Sequence, residues 1–206
     1  MWPRRAQAPE PAQPEPGVPG EVCADALARL RRGDIAALEE LYHTYGDRVF
    51  RVCQGILGNR QDAEDATQEV FLRGFEQANK FSGRSRFSTW LLRLAANHTL
   101  NLLKARARRN RRSQPVADDL TCPAPAPEQR SIASERQGAV ADLLQQLPDE
   151  QRQVVVLREM EGLSYSDLAE VLGVPVGTVT SRLIRGRERL RDLARNIGPG
   201  KFFAAD

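Results

Sequence analysis

The sequence predicts an all-α protein of two small helical domains joined by a flexible linker, the C-terminal one a helix-turn-helix. Three observations carry that prediction. Apolar residues recur at three- and four-residue steps in two blocks, over 21–112 and 135–198, which is the spacing of one helix face. A stretch holding several prolines and no periodicity separates them. Aromatic residues make up only 6% of the chain and β-branched runs are few, so an extensive sheet has little support. A length of 206 residues accommodates two such domains, each able to bury a core of its own.

Residues 1–20 are dense in Pro, with Ala, Glu and Gln between, a composition that neither forms a helix nor buries apolar surface, and they are expected to be a disordered tail. Helical spacing starts at Ala24. Leu27 and Leu30 precede Gly33-Asp34, and then Ile35, Leu38, Leu41, Tyr42, Tyr45, Val49, Val52 and Ile56 mark a long amphipathic helix ending near Gly58-Asn59. A third helix is expected from about Gln61 to Asn79, with Ala63, Ala66, Val70, Phe71 and Phe75 on one face and its carboxylates largely on another, and Ser82-Gly83 breaking it. A fourth begins near Ser88 with Trp90, Leu91, Leu94, Ala95, Leu100 and Leu103, then turns basic and loses its apolar stripe, which ends the first domain at about Arg112.

Residues 113–134 contain Pro115, Pro123, Pro125 and Pro127 among Asp, Ala and Ser and read as an extended linker. Val140, Leu143, Leu144 and Leu147 renew the helical spacing up to Pro148, and Val154, Val155, Leu157 and Met160 carry it on to Gly162. Two further helical segments meet at Gly173-Val174-Pro175, and residues 199–206 form a short tail.

The formal net charge is only +3, but it is unevenly distributed. Acidic residues gather at Asp62, Glu64, Asp65 and Glu69. Basic residues gather at Lys104 to Arg112 and again at Arg182 to Arg191. One acidic surface and two basic ones point to separate partners. Cys23, Cys53 and Cys122 stand apart from one another, and with His43 and His98 they lack the paired spacing of a zinc site or a redox pair. No metal or cofactor is therefore expected. Cys53 lies among Val49, Phe50, Val52 and Ile56 and reads as a buried free thiol, which fits a reducing compartment. No apolar run has signal-peptide character or approaches the roughly 20 residues that cross a bilayer, so a cytoplasmic protein without membrane insertion is expected.

The most specific stretch runs from Leu163 to Arg182. Ser164 with Asp167 forms a capping box for one helix. Ala169 is small where two helices would cross, Gly173 suits the left-handed residue that ends the first, and Leu168, Leu172, Val179 and Leu183 supply a seam. The second helix, from about Val176, then offers Thr178, Thr180, Ser181, Arg182, Arg185 and Arg187 outward, donors suited to phosphates and base edges. The plain alternative is a helical corner with solvated arginines, against which the arginine density argues.

This order of parts resembles the sigma-70 family of RNA polymerase sigma factors, specifically the small two-domain extracytoplasmic-function (ECF) type, over about residues 24–194. Asp62-Ala-Glu-Asp-Ala-Thr-Gln-Glu-Val-Phe71 resembles the polymerase-binding helix, and Phe87-Ser-Thr-Trp-Leu-Leu-Arg-Leu-Ala-Ala-Asn97 the promoter-melting and minus-ten-reading helix. Leu147-Pro-Asp-Glu-Gln-Arg152 and Leu157-Arg-Glu-Met-Glu-Gly-Leu-Ser-Tyr165 resemble the start of the minus-thirty-five domain. The resemblance implies a promoter-specificity subunit and not an enzyme. Its partners would be core RNA polymerase, promoter DNA and an anti-sigma factor.

By the same resemblance, Asp62, Asp65, Gln68 and Glu69 would dock on core polymerase, carboxylates and an amide presenting acceptors to a basic partner. The alternative for them is a solvated helix face. Phe81, Asn97 and Asn101 would receive the melted minus-ten strand, with Phe87 and Trp90 either joining them or packing in the core, because unpaired bases are read by stacking and by their exposed edges. Lys104, Arg106, Arg108 and Arg109 would bind phosphates. Thr180 stands where relatives often carry a basic residue and Ile184 where they often carry an aromatic one, so the minus-thirty-five preference is expected to differ from the commonest. Two readings compete: a helix-turn-helix regulator that binds duplex DNA as a dimer without polymerase, and a magnesium nuclease built on Asp62, Glu64, Asp65 and Glu69.

Overall fold

The computed structural model describes residues 20–82, 85–112 and 132–197. The N-terminal tail, Gly83, most of the linker, Cys122 and the C-terminal tail lie outside the described residues. Eight α-helices and one short 3-10 turn form the described part, without a strand: α1 Gly20–Arg31, α2 Ile35–Leu57, α3 Arg60–Glu76, the 3-10 turn Ala78–Lys80, α4 Phe87–Arg112, α5 Ile132–Gln145, α6 Asp149–Glu159, α7 Tyr165–Leu172 and α8 Val176–Ile197.

Local chemistry sets most of these boundaries. The Asp34 side chain accepts from the Ala36 amide and starts α2, and Gly58 ends it at φ 76°, a left-handed conformation that costs glycine little. Asn59 then caps α3 by accepting from the Asp62 amide at 3.2 Å. The third helix stops at Glu76, earlier than its periodicity suggests, and the 3-10 turn carries the chain to Phe81. α5 begins at Ile132, within the stretch read from sequence as linker.

In the first half, α2 packs on α1, α3 and α4. Val49, Val52, Cys53 and Ile56 from α2 meet Ala63, Ala66 and Val70 from α3 and Leu91, Leu92, Ala95 and Ala96 from α4, all buried. In the second half, α6 packs on α8 and α7.

Two modules on a tether would each have a separate core, but here one continuous core runs through both halves. The cause is α6. Val154, Val155, Val156 and Leu157 are all buried, and four consecutive residues point to all sides of a helix, so α6 must be covered on more than one face. It lies against α8 on one side and α2 on another, while α7 lies along α4. Gly55 of α2 permits the approach: a Cβ there would stand 2.9 Å from Val156 Cγ1 and 3.1 Å from Met160 Sδ.

Polar groups close the same junction. Gln153 Nε2 donates to the Ala96 carbonyl at 2.6 Å. Arg152 donates to the Ile56 carbonyl at 2.7 Å and to the carbonyls of Leu144, Gln145 and Leu147, so one guanidinium satisfies the ends of both α2 and α5. Glu161, its side chain 1% exposed, pairs with Arg48 at 2.7 Å and Arg51 at 3.2 Å.

Candidate nucleic-acid and partner interfaces

Asp65, Gln68 and Leu72 lie at positions i, i+3 and i+7 of α3 and therefore share a face, and all three are exposed. Tyr42 of α2, also exposed, packs tilted against Phe71 with ring centroids 4.9 Å apart. This face sets hydrogen-bond acceptors beside exposed apolar groups, a combination suited to a partner. Sequence reasoning found Asp65 and Gln68 but missed Tyr42 and Leu72, whose exposure only the fold reveals.

The neighbouring carboxylates are already engaged. Asp62 pairs with Arg106 at 2.6 Å, Glu64 with Arg60 at 2.9 Å and Glu69 with Arg73 at 2.8 Å. The hydrogen bond from Arg73 holds the Glu69 carboxyl below its usual range. Four carboxylates along one helix do not converge, and among the described residues no group of three or more His, Cys, Asp or Glu could hold a metal ion. Among the described residues the nuclease reading has no site.

Trp90, Asn97, Asn101, Lys104 and Arg108 follow one another at helical intervals along α4, and all but the half-buried Trp90 are exposed. Arg93, unremarked from sequence, belongs to the same stripe. Phe81 and Phe87 do not lie open on that stripe: they are 8% and 7% exposed. Phe81, Phe87 and Trp90 contact one another with centroids 5.3 to 5.7 Å apart, and Tyr45 closes on Phe87 at 5.5 Å. The two phenylalanines thus serve as the floor that fixes Trp90, since aromatic burial outweighs leaving them in water. Arg31 holds the preceding turn by donating to the carbonyls of Ala78 and Phe81. A cleft of about 290 Å³ opens here, lined by Lys80, Phe81, Ser82, Trp90 and Arg93, with Glu170 and Val171 of α7 on its far side.

Of the basic residues at the end of α4, Lys104, Arg108 and Arg109 are exposed, whereas Arg106 is turned onto Asp62. His98 is buried on the opposite side. Desolvation lowers its pKa, with Arg73 adding to that and Glu69 opposing it. His43 is exposed beside Glu39.

The α7–α8 corner forms as its sequence requires. Ser164 Oγ accepts from the Asp167 amide at 3.1 Å while Asp167 accepts from the Ser164 amide at 3.2 Å. Gly173 takes φ 65° and ψ 34°, and Val174 N donates back to the Ala169 carbonyl. Leu168, Val171, Val179 and Leu183 are buried. Val171, not named from sequence, is buried, whereas Leu172, expected in the seam, is only half-buried.

On α8, Ser181, Arg185 and Arg187 are exposed, and Thr178 and Thr180 half-buried. The Thr180 hydroxyl bonds back to the Val176 carbonyl and that of Ser181 to Thr178. Arg182 departs from the outward placement expected of it: its side chain is 23% exposed and paired with Glu150. Arg187 pairs with Glu159. Thr178, Ser181, Arg182 and Arg185 line a cleft of about 490 Å³ whose other wall includes Leu100 and Lys104 of α4.

Comparison with known proteins places both halves. Residues 41–120 match the family description "Sigma-70 region 2" and residues 137–190 match "Sigma-70, region 4". The chain is 36% identical to the RNA polymerase sigma-H factor of Pseudomonas aeruginosa, over 80% of this chain and 89% of that protein. It is 32% identical to the ECF RNA polymerase sigma factor SigW of Bacillus subtilis, over 83% of this chain and 96% of that one. Among solved structures it resembles CnrH in complex with the cytosolic domain of CnrY (TM-score 0.63, 22% identity, 86% of this chain and 97% of that one). It also resembles the sigma factor RpoE in complex with the anti-sigma factor NepR from Bartonella quintana (TM-score 0.61, 22% identity, 76% and 96%).

Proposed function

This chain belongs to the sigma-70 family as an ECF sigma factor, a non-catalytic subunit that directs promoter-specific transcription initiation, and we propose how its surfaces divide that work. Asp65, Gln68 and Leu72 on α3, with Tyr42 beside them, form the docking face for core RNA polymerase. Carboxylate and amide acceptors meet basic residues of the partner, and the exposed apolar pair supplies buried area.

The α4 stripe receives the opened minus-ten strand. Trp90, set on its aromatic floor, offers a stacking surface, Asn97 and Asn101 offer amide donors and acceptors to base edges, and Lys104, Arg108 and Arg109 attract phosphates. The α7–α8 corner reads the minus-thirty-five element in duplex DNA, with α8 in the major groove and Thr178, Ser181 and Arg185 toward the bases. Binding free energy is the protein's contribution, delivered where polymerase already sits. The protein works in the cytoplasm, and an anti-sigma factor regulates it.

The observation that carries this reading is the pairing, in one chain, of an exposed acidic and apolar helix face with a capped helix-turn-helix whose Arg185 is exposed between Arg182 and Arg187, each held in an ion pair. Run-off transcription with core polymerase on genomic fragments tests it. Added protein should yield discrete transcripts, and replacing Asp65 and Gln68 together by Ala should abolish both transcripts and copurification with polymerase while the helical circular dichroism is unchanged. Full association of that variant would remove the docking assignment.

A further inference from the structure

The segment that leads into α4 is held by a residue from far earlier in the chain. The 3-10 turn Ala78–Lys80 closes weakly at its exit, where the Phe81 amide reaches the Ala78 carbonyl at 3.3 Å, beyond the usual range for such a bond. Phe81 then leaves the turn as extended backbone, at φ −70° and ψ 111°, so its carbonyl lies outside any helical ladder and needs another donor. Arg31, the last residue of α1, serves both groups. Its Nε donates to the Ala78 carbonyl at 3.1 Å and its Nη2 to the Phe81 carbonyl, across 47 and 50 positions of sequence. A guanidinium makes charge-assisted bonds from a rigid planar fork, which fixes the two carbonyls relative to each other.

Those carbonyls belong to the rim of the cleft beside α4, which is lined by Lys80, Phe81, Ser82, Ser85, Trp90 and Arg93. Lys80 and Ser82 are exposed, while the Phe81 ring between them is buried against Phe87 and Trp90. Rim and stacking surface are therefore linked through one ring, and a tilt of the turn moves both. The fold does not depend on this link. Ala26, Leu27 and Leu30 seat α1 in the core, Arg29 pairs with Asp34 and Glu40, and Arg31 itself is exposed.

We propose that Arg31 is a positioning residue for minus-ten reading: by bridging the Ala78 and Phe81 carbonyls it sets the Lys80–Ser82 rim against Trp90 and so decides which bases the cleft accepts. The proposal rests on the reading of α4 as the strand-binding helix. Arg31 touches no base and acts through Phe81 and its neighbours. An arginine that instead met the strand's phosphates would add affinity without sequence information, and salt dependence tells the two roles apart.

The test uses holoenzyme assembled from core polymerase and the full chain, on the strongest promoter that run-off transcription of genomic fragments yields, with each minus-ten position changed in turn. Arg31→Met keeps an unbranched side chain and removes the donors. Arg31→Lys keeps the charge with a single donor group, and Arg32→Met removes the same charge from the exposed next position. Transcript yield reads discrimination between the promoter's own base and each substitute, and its dependence on salt counts phosphate contacts.

Arg31→Met should lower discrimination at one or two minus-ten positions from the roughly tenfold or more of a well-read position to about threefold. Core association and the salt slope should stay at wild-type values, Arg31→Lys should fall between the two, and Arg32→Met should lose nothing. Should Arg31→Met not fold, Arg31→Lys carries the test and must lose discrimination at one or two positions with its salt slope kept. Full discrimination by the Arg31 variants, an equal loss in Arg32→Met, or a salt slope lowered by about one overturns the proposal. A wild-type holoenzyme that yields no transcript, or is indifferent to every minus-ten change, removes the strand reading of α4 itself, whereas a selective wild type with an equally selective Arg31→Met removes the positioning role alone.

Discussion

Arg106, from the basic end of α4, meets Asp62 of α3 at 2.6 Å, so a residue expected on phosphates and a residue expected on polymerase are engaged with each other. The pair is partly exposed, 43% for the arginine and 31% for the aspartate, and ties the end of α4 to the start of α3. That separates Arg106 from Lys104, Arg108 and Arg109, which point to solvent.

Replacing Arg106 by Ala should therefore change unfolding free energy by less than about 1 kcal/mol, as for other exposed pairs, and leave the salt dependence of promoter binding by the polymerase complex unchanged. Lys104→Ala or Arg108→Ala should each lower the salt slope by about one. An equal loss on Arg106→Ala would return that residue to the phosphate contacts.

Arg185→Ala should weaken upstream promoter binding by about 1 to 3 kcal/mol, seen as loss of protection around the minus-thirty-five element in a footprint. Arg187→Ala, whose partner is Glu159, should cost less. Undiminished protection with Arg185→Ala would mean that α8 does not enter the groove through this face.

Arg152 is 5% exposed and its guanidinium serves four backbone carbonyls. Burial lowers its pKa, with Asp149 opposing, yet it stays charged at every pH the protein meets. Arg152→Met should cost about 3 kcal/mol, because the carbonyls it leaves are buried without partners. Urea unfolding measures this, and a loss under about 1 kcal/mol would show that water replaces the guanidinium.

Cys53 is buried, and desolvation pushes its thiol from 9.0 up to about 12, the hydrogen bond with Thr67 acting the other way. A folded-state pKa above the unfolded one gives stability that is complete below pH 9 and lost as pH climbs toward 12, at about 1.4 kcal/mol per pH unit. Cys53→Ala should flatten that decline. Alkylation of Cys53 in the folded chain at pH 8 should be negligible on the timescale of its alkylation in urea, and equal rates would place the thiol at the surface.

Much of the architecture was legible because it is written in short-range chemistry. Asp34, Gly58 with Asn59, Ser164 with Asp167, and Gly173 act on backbone groups within four residues of themselves, so their effects could be read from spacing alone. The helix-turn-helix was legible for the same reason. The C-terminal end of α3 and the start of α5 differ from the sequence reading because periodicity continues past the point where the chain turns into the 3-10 segment, and because α5 begins before its recurring apolar positions do.

The candidate site was legible in its residue types and less so in their placement. Phe81 and Phe87 read as reasonably for a base-stacking surface as for a core, and only the convergence of α2, α4 and the Ala78–Lys80 turn buries them. Arg106 could not be told from Arg108, since the difference is a partner more than 40 positions away. Gln153 and Glu161 gave no sign of their roles. One overlooked clue was the unbroken run from Val154 to Leu157, which no single-faced helix would carry.

An all-helical chain, the capped corner of α7 and α8, and the acidic and basic faces could all be read in the order of residues, because each depends on side chains acting on their own or adjacent turns. The tertiary structure alone decided which charges remain free, which aromatics are buried, and that the second half packs over the first. Those outcomes depend on groups brought together from distant positions, whose mutual desolvation no local pattern records.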